Sequence, residues 1–198
     1  KVTASVDYRN KRILLPPQIS VSFADIEKVA NDDTVCYLVG KNGIQKLQLF
    51  SADTNRFYKL LPSADAPTIE ISGIRMHRTA ERTPWQDTLD KLKVISPLRG
   101  RVLDTCCGLG YTAVAAARID SVTQVFTFEK DKNVLIMADY NPWSKELFKN
   151  KKIKLAVADI AVAINDFGDN FFDYIIHDPP RLQLAGELYS LEFYQQLF

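Results

Sequence analysis

The stretch that decides the fold reads VLDTCCGLGYTA and covers residues 102–113. Its opening is apolar and strand-like. Gly108 and Gly110 lack the Cβ atoms that would block a tight turn and the close approach of a ligand. A helix is predicted from Tyr111, and the first N–H groups of a helix have no partner inside it. The pattern is typical of a strand, loop and helix that hold a ligand beyond the carboxyl end of a buried strand.

Strands and helices continue to alternate on both sides of this stretch. Thr83 supplies an N-cap hydroxyl, Pro84 fits the first helical position and Gln86 completes a capping box, so a helix is predicted there. This alternation implies right-handed strand–helix–strand units and a doubly wound, Rossmann-like parallel sheet, which is an α/β fold. The predicted strands cover residues 101–104, 124–129, 153–157 and 172–177, and the predicted helices cover 111–119 and 131–140.

The first 75 residues follow a different pattern, in which short apolar alternations are separated by turns. We therefore predict a small β-rich N-terminal domain over residues 1–75, followed by the α/β domain over residues 76–198. The predicted strands cover residues 2–6, 19–23, 34–39, 44–50, 56–61 and 68–71, with one helix over 24–30.

The end of the chain carries an amphipathic helical pattern over residues 188–198. Only four strands of the parallel sheet precede it, fewer than a full sheet of this kind contains. We therefore expect the C-terminal strands of the sheet to be missing from this chain.

The composition excludes several classes of protein. The 198 residues carry a formal net charge of +1 and are 46% hydrophobic and 25% charged, which is a globular mixture and not a strongly basic one. Three cysteines, of which Cys106 and Cys107 are adjacent, suit a reducing compartment better than a disulfide framework. No apolar run suggests a membrane span or a signal segment. We expect a cytoplasmic protein that does not enter membranes, and its oligomeric state is not indicated.

Asp104 indicates which ligand the glycine loop binds. Gly108, Gly110 and Ala113 also match the dinucleotide-binding pattern, with Glu129 near the position of a ribose-binding acid. A carboxylate at the end of the strand would repel a pyrophosphate that shared its pocket. S-adenosylmethionine carries no phosphate, but it does carry a sulfonium and an ammonium, so an acid is favourable there. The charge therefore favours S-adenosylmethionine over NAD.

Two further acids follow the next predicted strands. Glu129 can accept both ribose hydroxyls, and Asp159 can accept from the adenine amino group. Either residue alone could simply cap a helix. Three acids at three successive strand ends predict a nucleoside pocket.

These motifs resemble those of the class I S-adenosylmethionine-dependent methyltransferases. Residues 102–110 resemble the first motif, Glu129 the second, Asp159 the third and residues 172–181 the fourth, which carries an Asn/Asp-Pro-Pro-aromatic signature in enzymes that methylate amino groups. Cys106 stands where most members have glycine, and Arg181 stands where the amino-methylating enzymes have an aromatic residue.

A closer resemblance covers most of the chain. The strings HDPPR at residues 177–181 and AGELYS at residues 185–190 are similar to a predicted methyltransferase family best known from archaeal genomes, for which no substrate is assigned. The resemblance implies S-adenosylmethionine as cofactor. The candidate cofactor-binding residues are Asp104, Cys106, Gly108, Gly110, Tyr111, Glu129, Lys130, Asp159 and Ile160.

The candidate catalytic residues are Asp178, Pro179, Pro180 and His77. Two prolines restrict the backbone around the Asp178 carboxylate, which suits the positioning of a nucleophilic N–H or O–H beside a methyl donor. The alternative is a turn that ends a strand and carries a surface acid. His77 can be a base, a substrate contact or a structural histidine. Two histidines without a Cys-x-x-Cys motif do not predict a metal site.

We predict a methyltransferase whose acceptor is either a nucleobase nitrogen in RNA or a small molecule. The alternatives are an aminopropyl transferase of the spermidine synthase type, which uses decarboxylated S-adenosylmethionine, and a non-enzymatic binding module. The basic run Lys145, Lys149, Lys151, Lys152 and Lys154 could contact RNA phosphates or form a solvated helix end.

Overall fold

The structure is a computed structural model that describes residues 3–198. The N-terminal half consists of short antiparallel strands and one helix. Its elements are β1 (Ser5–Asp7), β2 (Arg12–Leu15), β3 (Ile19–Ser22), α1 (Phe23–Ala30), β4 (Tyr37–Gly40), β5 (Gly43–Lys46), β6 (Gln48–Ser51), β7 (Arg56–Leu61), β8 (Thr68–Ile71) and β9 (Ile74–Arg75). They form a three-stranded sheet β1-β2-β3, a hairpin β4-β5 and a four-stranded sheet β6-β7-β8-β9.

The second half alternates between helices and strands, as the sequence predicts. Its elements are α2 (Pro84–Val94), β10 (Gly100–Asp104), α3 (Tyr111–Ala117), β11 (Val122–Phe128), α4 (Lys132–Asp139), a 3-10 helix (Pro142–Phe148), β12 (Ile153–Ala156), α5 (Ile160–Ala163), a 3-10 turn (Ile164–Asp166), β13 (Tyr174–Ile176), a 3-10 helix (Gly186–Tyr189) and α6 (Leu191–Leu197).

Four of these strands form one parallel sheet in the order β12-β11-β10-β13. The chain runs outward from β10 to β12 and then returns to pair β13 with the other side of β10. The strand order reverses at this point, and ligands bind at such a switch point beyond the carboxyl ends of the strands. The mixed α/β, Rossmann-like fold is therefore confirmed.

The two faces of the parallel sheet are covered by different helices. Val102 belongs to a core shared with α2, α3 and α4, whereas the next residue, Leu103, belongs to a core shared with α5 and α6. Successive side chains of a strand point to opposite faces. Because both faces of the central strand are buried, the adjacent residues Val102 and Leu103 are both apolar, one on each face.

The N-terminal half shares a core with the α/β half. Tyr58, Leu60 and Ile69 lie in the same buried cluster as Leu92 of α2 and Met137 of α4. The sheet β6-β7-β8-β9 is therefore packed on the side of the parallel sheet that is covered by α2, α3 and α4. The division of the chain near residue 75 stays a prediction.

Some N-terminal elements differ from their predicted bounds. The predicted strand over residues 44–50 is divided at Leu47, whose N–H donates to the Cys36 carbonyl (2.8 Å) while its own carbonyl accepts from Leu60 N–H (3.0 Å). Leu47 is buried between the two sheets, so the chain changes partners there. The sequence missed β2 and β9, and residue 2 of the first predicted strand lies outside the described residues.

The predicted start of α2 is confirmed in detail. Thr83 Oγ1 accepts from Gln86 N–H, and the Gln86 side chain accepts from Thr83 N–H, which is a complete capping box. α2 is therefore fixed at the point where the chain enters the α/β half. No helix between residues 3 and 198 has the length and apolar character needed to cross a bilayer.

Candidate active site

A cleft lies beyond the carboxyl ends of the parallel strands, at the switch point. It encloses about 1150 Å³ of space out to its open mouth and is lined by the loops after β10, β11, β12 and β13, by α2 and by part of the N-terminal half. The sequence-predicted residues on its wall are His77, Cys106, Gly108, Tyr111, Glu129, Lys130, Asp159, Ile160, Asp178, Pro179 and Pro180. The fold thus brings together eleven of the thirteen candidates, and Asp104 and Gly110 lie behind the wall.

The two glycines of the loop have different roles in the structure. Gly108 has φ +54°, and a Cβ built on it would meet no atom within 4 Å, so its backbone borders open space. Gly110 has φ +77° and begins α3, and a Cβ there would lie 2.6 Å from Leu147 Cδ2. Gly108 therefore leaves room for a ligand, whereas Gly110 allows the loop to pack against the neighbouring 3-10 helix.

Glu129 joins two of the loops. Its Oε2 accepts from Gly108 N–H and its Oε1 accepts from Asp131 N–H, both at 3.0 Å. Burial raises the pKa of this carboxyl above its ordinary value. Each carboxylate oxygen has a second lone pair, so the bridge between the loops leaves acceptor capacity for ribose hydroxyls.

Asp159 and Lys130 form the wall after β11 and β12. Asp159 Oδ1 accepts from Ala161 N–H (3.0 Å) and so begins α5, and its Oδ2 lies 3.6 Å from Lys130 Nζ. The same ammonium donates to Glu187 Oε1 at 2.6 Å. Asp159 therefore does cap a helix, as the alternative interpretation holds. Its second carboxylate oxygen, Oδ2, faces Lys130 in the loop after β11.

Asp104 does not form part of the cleft surface, contrary to the expectation that it faces the ligand. It lies between Thr127 of β11 and Ile176 of β13 and is 1% exposed. Its Oδ2 accepts from Thr127 Oγ1 at 2.7 Å, whereas Oδ1 has no hydrogen-bond partner. Burial raises the pKa of Asp104 to about 7. A buried oxygen without a hydrogen-bond partner lowers the free energy of unfolding, so Asp104 destabilises the folded protein at this position.

Asp178 is held by a residue that the sequence analysis did not single out. Lys91 Nζ lies 2.5 Å from Asp178 Oδ2 and 2.8 Å from Asp87 Oδ2, and all three side chains line the cleft. Asp87 and Lys91 are one helical turn apart on α2, a spacing that could have indicated their own pairing. Nothing local could have indicated the contact with Asp178.

His77 closes the cleft from the N-terminal side. Its Nδ1 lies 3.0 Å from Thr68 Oγ1, and its ring lies 5.2 Å from the Tyr111 ring. Burial, followed by the positive charge of Lys91, lowers the pKa of His77 to about 4. The imidazole is therefore neutral at neutral pH, and the same burial makes it a weak base. The thiol of Cys106 stays protonated, because burial raises its pKa to about 12.

The Asp-Pro-Pro loop is braced by the following segment. Tyr189 O–H donates to the Pro180 carbonyl (2.8 Å), and the ring of His177 contacts Thr105 Oγ1 (2.8 Å) and the Leu188 carbonyl (2.9 Å). His177 is thus a satisfied structural histidine that ties the loop after β13 to the loop after β10. Arg181 is exposed and is not part of the cleft wall.

The N-terminal half supplies one side of the cleft. Arg56, Ile69, Ile71 and Met76 line this side together with His77. Over the whole lining, five acids (Asp87, Glu129, Asp131, Asp159, Asp178) face three cations (Arg56, Lys91, Lys130). The surplus of carboxylates favours a cationic ligand. Among residues 3–198, no group of three or more metal-ligating side chains could hold an ion.

The fold and the position of the cleft define a Rossmann-like α/β protein with a cleft at its switch point. The chain resembles in fold a spermidine synthase solved with the transition-state analogue AdoDATO (TM-score 0.62, 23% identity, 72% of this chain and 50% of that one). It also resembles the spermidine synthase of Thermotoga maritima (TM-score 0.59, 21% identity, 78% of this chain and 53% of that one). Each match covers a larger part of this chain than the α/β half occupies. The likeness in fold therefore extends into the N-terminal half.

In sequence, the chain is 46% identical over 191 residues to an uncharacterized protein of Methanocaldococcus jannaschii. The match covers 96% of this chain and 64% of that protein, so the chain spans less than two thirds of its relative's length. No family model matches the chain.

Proposed function

We propose that this protein is a transferase that binds S-adenosylmethionine in the cleft and transfers its methyl group to a small acceptor with a nucleophilic nitrogen or oxygen. The observation that carries the proposal is the convergence of Gly108, Glu129, Asp159 and Asp178 on one acid-rich cleft at the switch point. The residues suit a donor that is cationic and carries no phosphate.

The chain's own groups fit the parts of the donor. Gly108 leaves open space where a Cβ would project, so the backbone can approach the ligand closely. The free lone pairs of Glu129 would accept ribose hydroxyls, and Asp159 Oδ2 would accept from the adenine amino group. Asp104 is buried behind the loop and, with its pKa raised to about 7, is largely protonated below that pH, so it is not counted among the charges that hold the donor.

When bound, S-adenosylmethionine supplies an electrophilic methyl group, which passes to the lone pair of the acceptor as the bond to sulfur breaks and S-adenosylhomocysteine remains. Asp178 accepts a hydrogen bond from the acceptor and so orients its lone pair. The proton that the acceptor loses passes to solvent, because burial lowers the pKa of His77 and makes its imidazole a poor proton acceptor. The two prolines and the Tyr189 hydroxyl hold the Asp178 loop in place during this step.

A small acceptor suits the cleft better than RNA does. The basic run lies at the start of β12: Lys152, whose Nζ donates to the Ile119 carbonyl (3.0 Å), precedes the strand, and Lys154 is its second residue. The cleft lies beyond the other end of that strand. An RNA held at the lysines would therefore lie at the amino ends of the parallel strands, whereas the cleft lies at their carboxyl ends. The acid-rich lining of the cleft would also repel phosphates.

Aminopropyl transfer is the second candidate. It is supported by the likeness in fold to the two spermidine synthases, which extends to the N-terminal half that walls the cleft. A polyamine acceptor is a polycation, and the acid-rich lining suits it as well. The two candidates differ in the donor, because only the methyl donor carries a carboxylate.

Calorimetry with S-adenosylmethionine, decarboxylated S-adenosylmethionine and NAD tests the donor. We expect S-adenosylmethionine to bind most tightly and NAD not to bind. NAD binding in the absence of S-adenosylmethionine binding would refute the proposal. Incubation with methyl-labelled donor and, in separate reactions, a metabolite extract, putrescine or unmodified RNA then identifies the acceptor class. Label that appears only in RNA would refute the small acceptor, and product formed only from putrescine and the decarboxylated donor would establish aminopropyl transfer.

The role of Asp178 is tested by Asp178→Ala. Because positioning acts at the reacting centre, we expect turnover to fall by about 100-fold while donor affinity changes by less than about threefold. Asp169→Ala, which removes an exposed acid, is the matched control and should leave both quantities unchanged. Equal losses of turnover and donor affinity would place Asp178 among the donor-binding groups instead.

A further inference from the structure

Lys91 occupies an unusual place among the cations of the cleft. Lys130 pairs with Glu187 and Asp159 on the wall after β11 and β12. Lys91 instead extends from α2 to the loop after β13, next to the switch point, and joins Asp87 to Asp178. Its side chain is 42% exposed and that of Asp178 is 49% exposed, so a ligand in the cleft can reach both.

The hydrogen-bonding capacity of this ammonium is only partly used. A lysine ammonium has three N–H donors. Two are directed to the carboxylates of Asp87 and Asp178, at 2.8 Å and 2.5 Å. The third has no assigned acceptor among the described residues. The flexible stem of lysine allows the ammonium to shift toward a new partner without movement of the helix.

We propose that Lys91 recognises the amino-acid end of the donor by binding its carboxylate, which leaves Asp178 to the acceptor. Lys91 is then the residue that selects S-adenosylmethionine over its decarboxylated form. This inference rests on the proposed function, because it takes the cleft to be the donor site.

The charge arrangement supports a zwitterionic ligand. Asp87, Lys91 and Asp178 carry a net charge of −1 when both acids are ionised, and the cation lies between the two anions. A zwitterionic ligand adds one anion and one cation to this row of charges. Each charge in the enlarged row can then lie beside a charge of opposite sign. A donor that carries only an ammonium brings no partner for the third N–H of Lys91.

The decisive experiment compares donor affinities in Lys91→Met, which keeps the unbranched apolar stem of the side chain and removes the charged end. Calorimetry is performed with S-adenosylmethionine and with decarboxylated S-adenosylmethionine. We expect S-adenosylmethionine to bind about tenfold more weakly or worse, the loss typical of a charge-assisted hydrogen bond. The decarboxylated donor should bind as tightly as before or more tightly. Lys93→Met, on the same helix but outside the cleft wall, is the matched control and should change neither affinity.

Lys91→Arg keeps the charge and should retain the preference for S-adenosylmethionine. The ratio of the two affinities is measured within one folded variant, so a change in stability does not affect the outcome. An unchanged ratio in Lys91→Met, whether both affinities fall together or neither falls, would overturn the inference and leave the proposed function standing. If the unmodified protein binds neither donor, the proposed function itself fails.

Discussion

Replacing Asp104 by Asn tests the consequence of burying a carboxyl group beneath the glycine loop. Asn keeps the acceptor for Thr127 Oγ1 and has nearly the shape of a protonated aspartic acid, but it cannot ionise. In the native protein, Asp104 is 1% exposed and its Oδ1 has no partner. Burial therefore opposes ionisation, and the pKa is raised to about 7 from an ordinary value of 3.8.

The size of the effect follows from this difference in pKa. Between pH 3.8 and about 7 the folded protein keeps a proton that the unfolded chain has lost, so its stability falls as the pH rises through this window. At 1.36 kcal/mol per pH unit, the whole window corresponds to about 4 kcal/mol, and the part above pH 5 to about 3 kcal/mol. The asparagine in Asp104→Asn does not ionise, so the variant lacks this pH-dependent loss of stability. Its free energy of unfolding should therefore rise relative to that of the unmodified protein as the pH rises.

Urea unfolding of the two proteins at pH 5, 6, 7 and 8 measures the effect. We expect the difference in unfolding free energy to move by about 3 kcal/mol in favour of Asn between pH 5 and pH 8. Asp139→Asn changes an exposed acid on α4 and should give a difference that is constant with pH. A constant difference for Asp104→Asn as well would refute the reasoning, because it would mean that Asp104 does not titrate abnormally.

Three further substitutions test the packing around the cleft. Gly110→Ala should destabilise the protein by about 3 kcal/mol in urea unfolding, because its φ of +77° disfavours a side chain and the new Cβ would lie 2.6 Å from Leu147. Gly108→Ala, with positive φ but open space, should cost only about 1 kcal/mol, and equal losses would contradict this account. Tyr58→Phe removes the buried hydroxyl that donates to Asp131 Oδ2 at 2.5 Å and should lower the free energy of unfolding by about 1.5–3 kcal/mol. A loss below about 0.5 kcal/mol would show that this link between the two halves contributes little.

The local elements of the α/β half could be predicted from the sequence because their signals are short-range. The Thr83 capping box, the glycines after β10 and the apolar strands each depend on residues a few positions apart. Strand ends of a parallel sheet meet at one edge, so Glu129, Asp159 and Asp178 could be expected to share a cleft. The N-terminal strands were harder to predict, because Leu47 changes partners according to which strands lie beside it.

The sequence by itself determined the type of sheet, the position of its switch point and the residues that border it. Only the tertiary structure decided which charges meet there. Lys91 contacts Asp178 because its side chain extends from α2 to the loop after β13, and Asp104 is cut off from water because strands cover it on both sides. Pairing and burial depend on contacts between residues far apart in the chain, and these contacts set the pKa of Asp104 and the charge presented to a ligand.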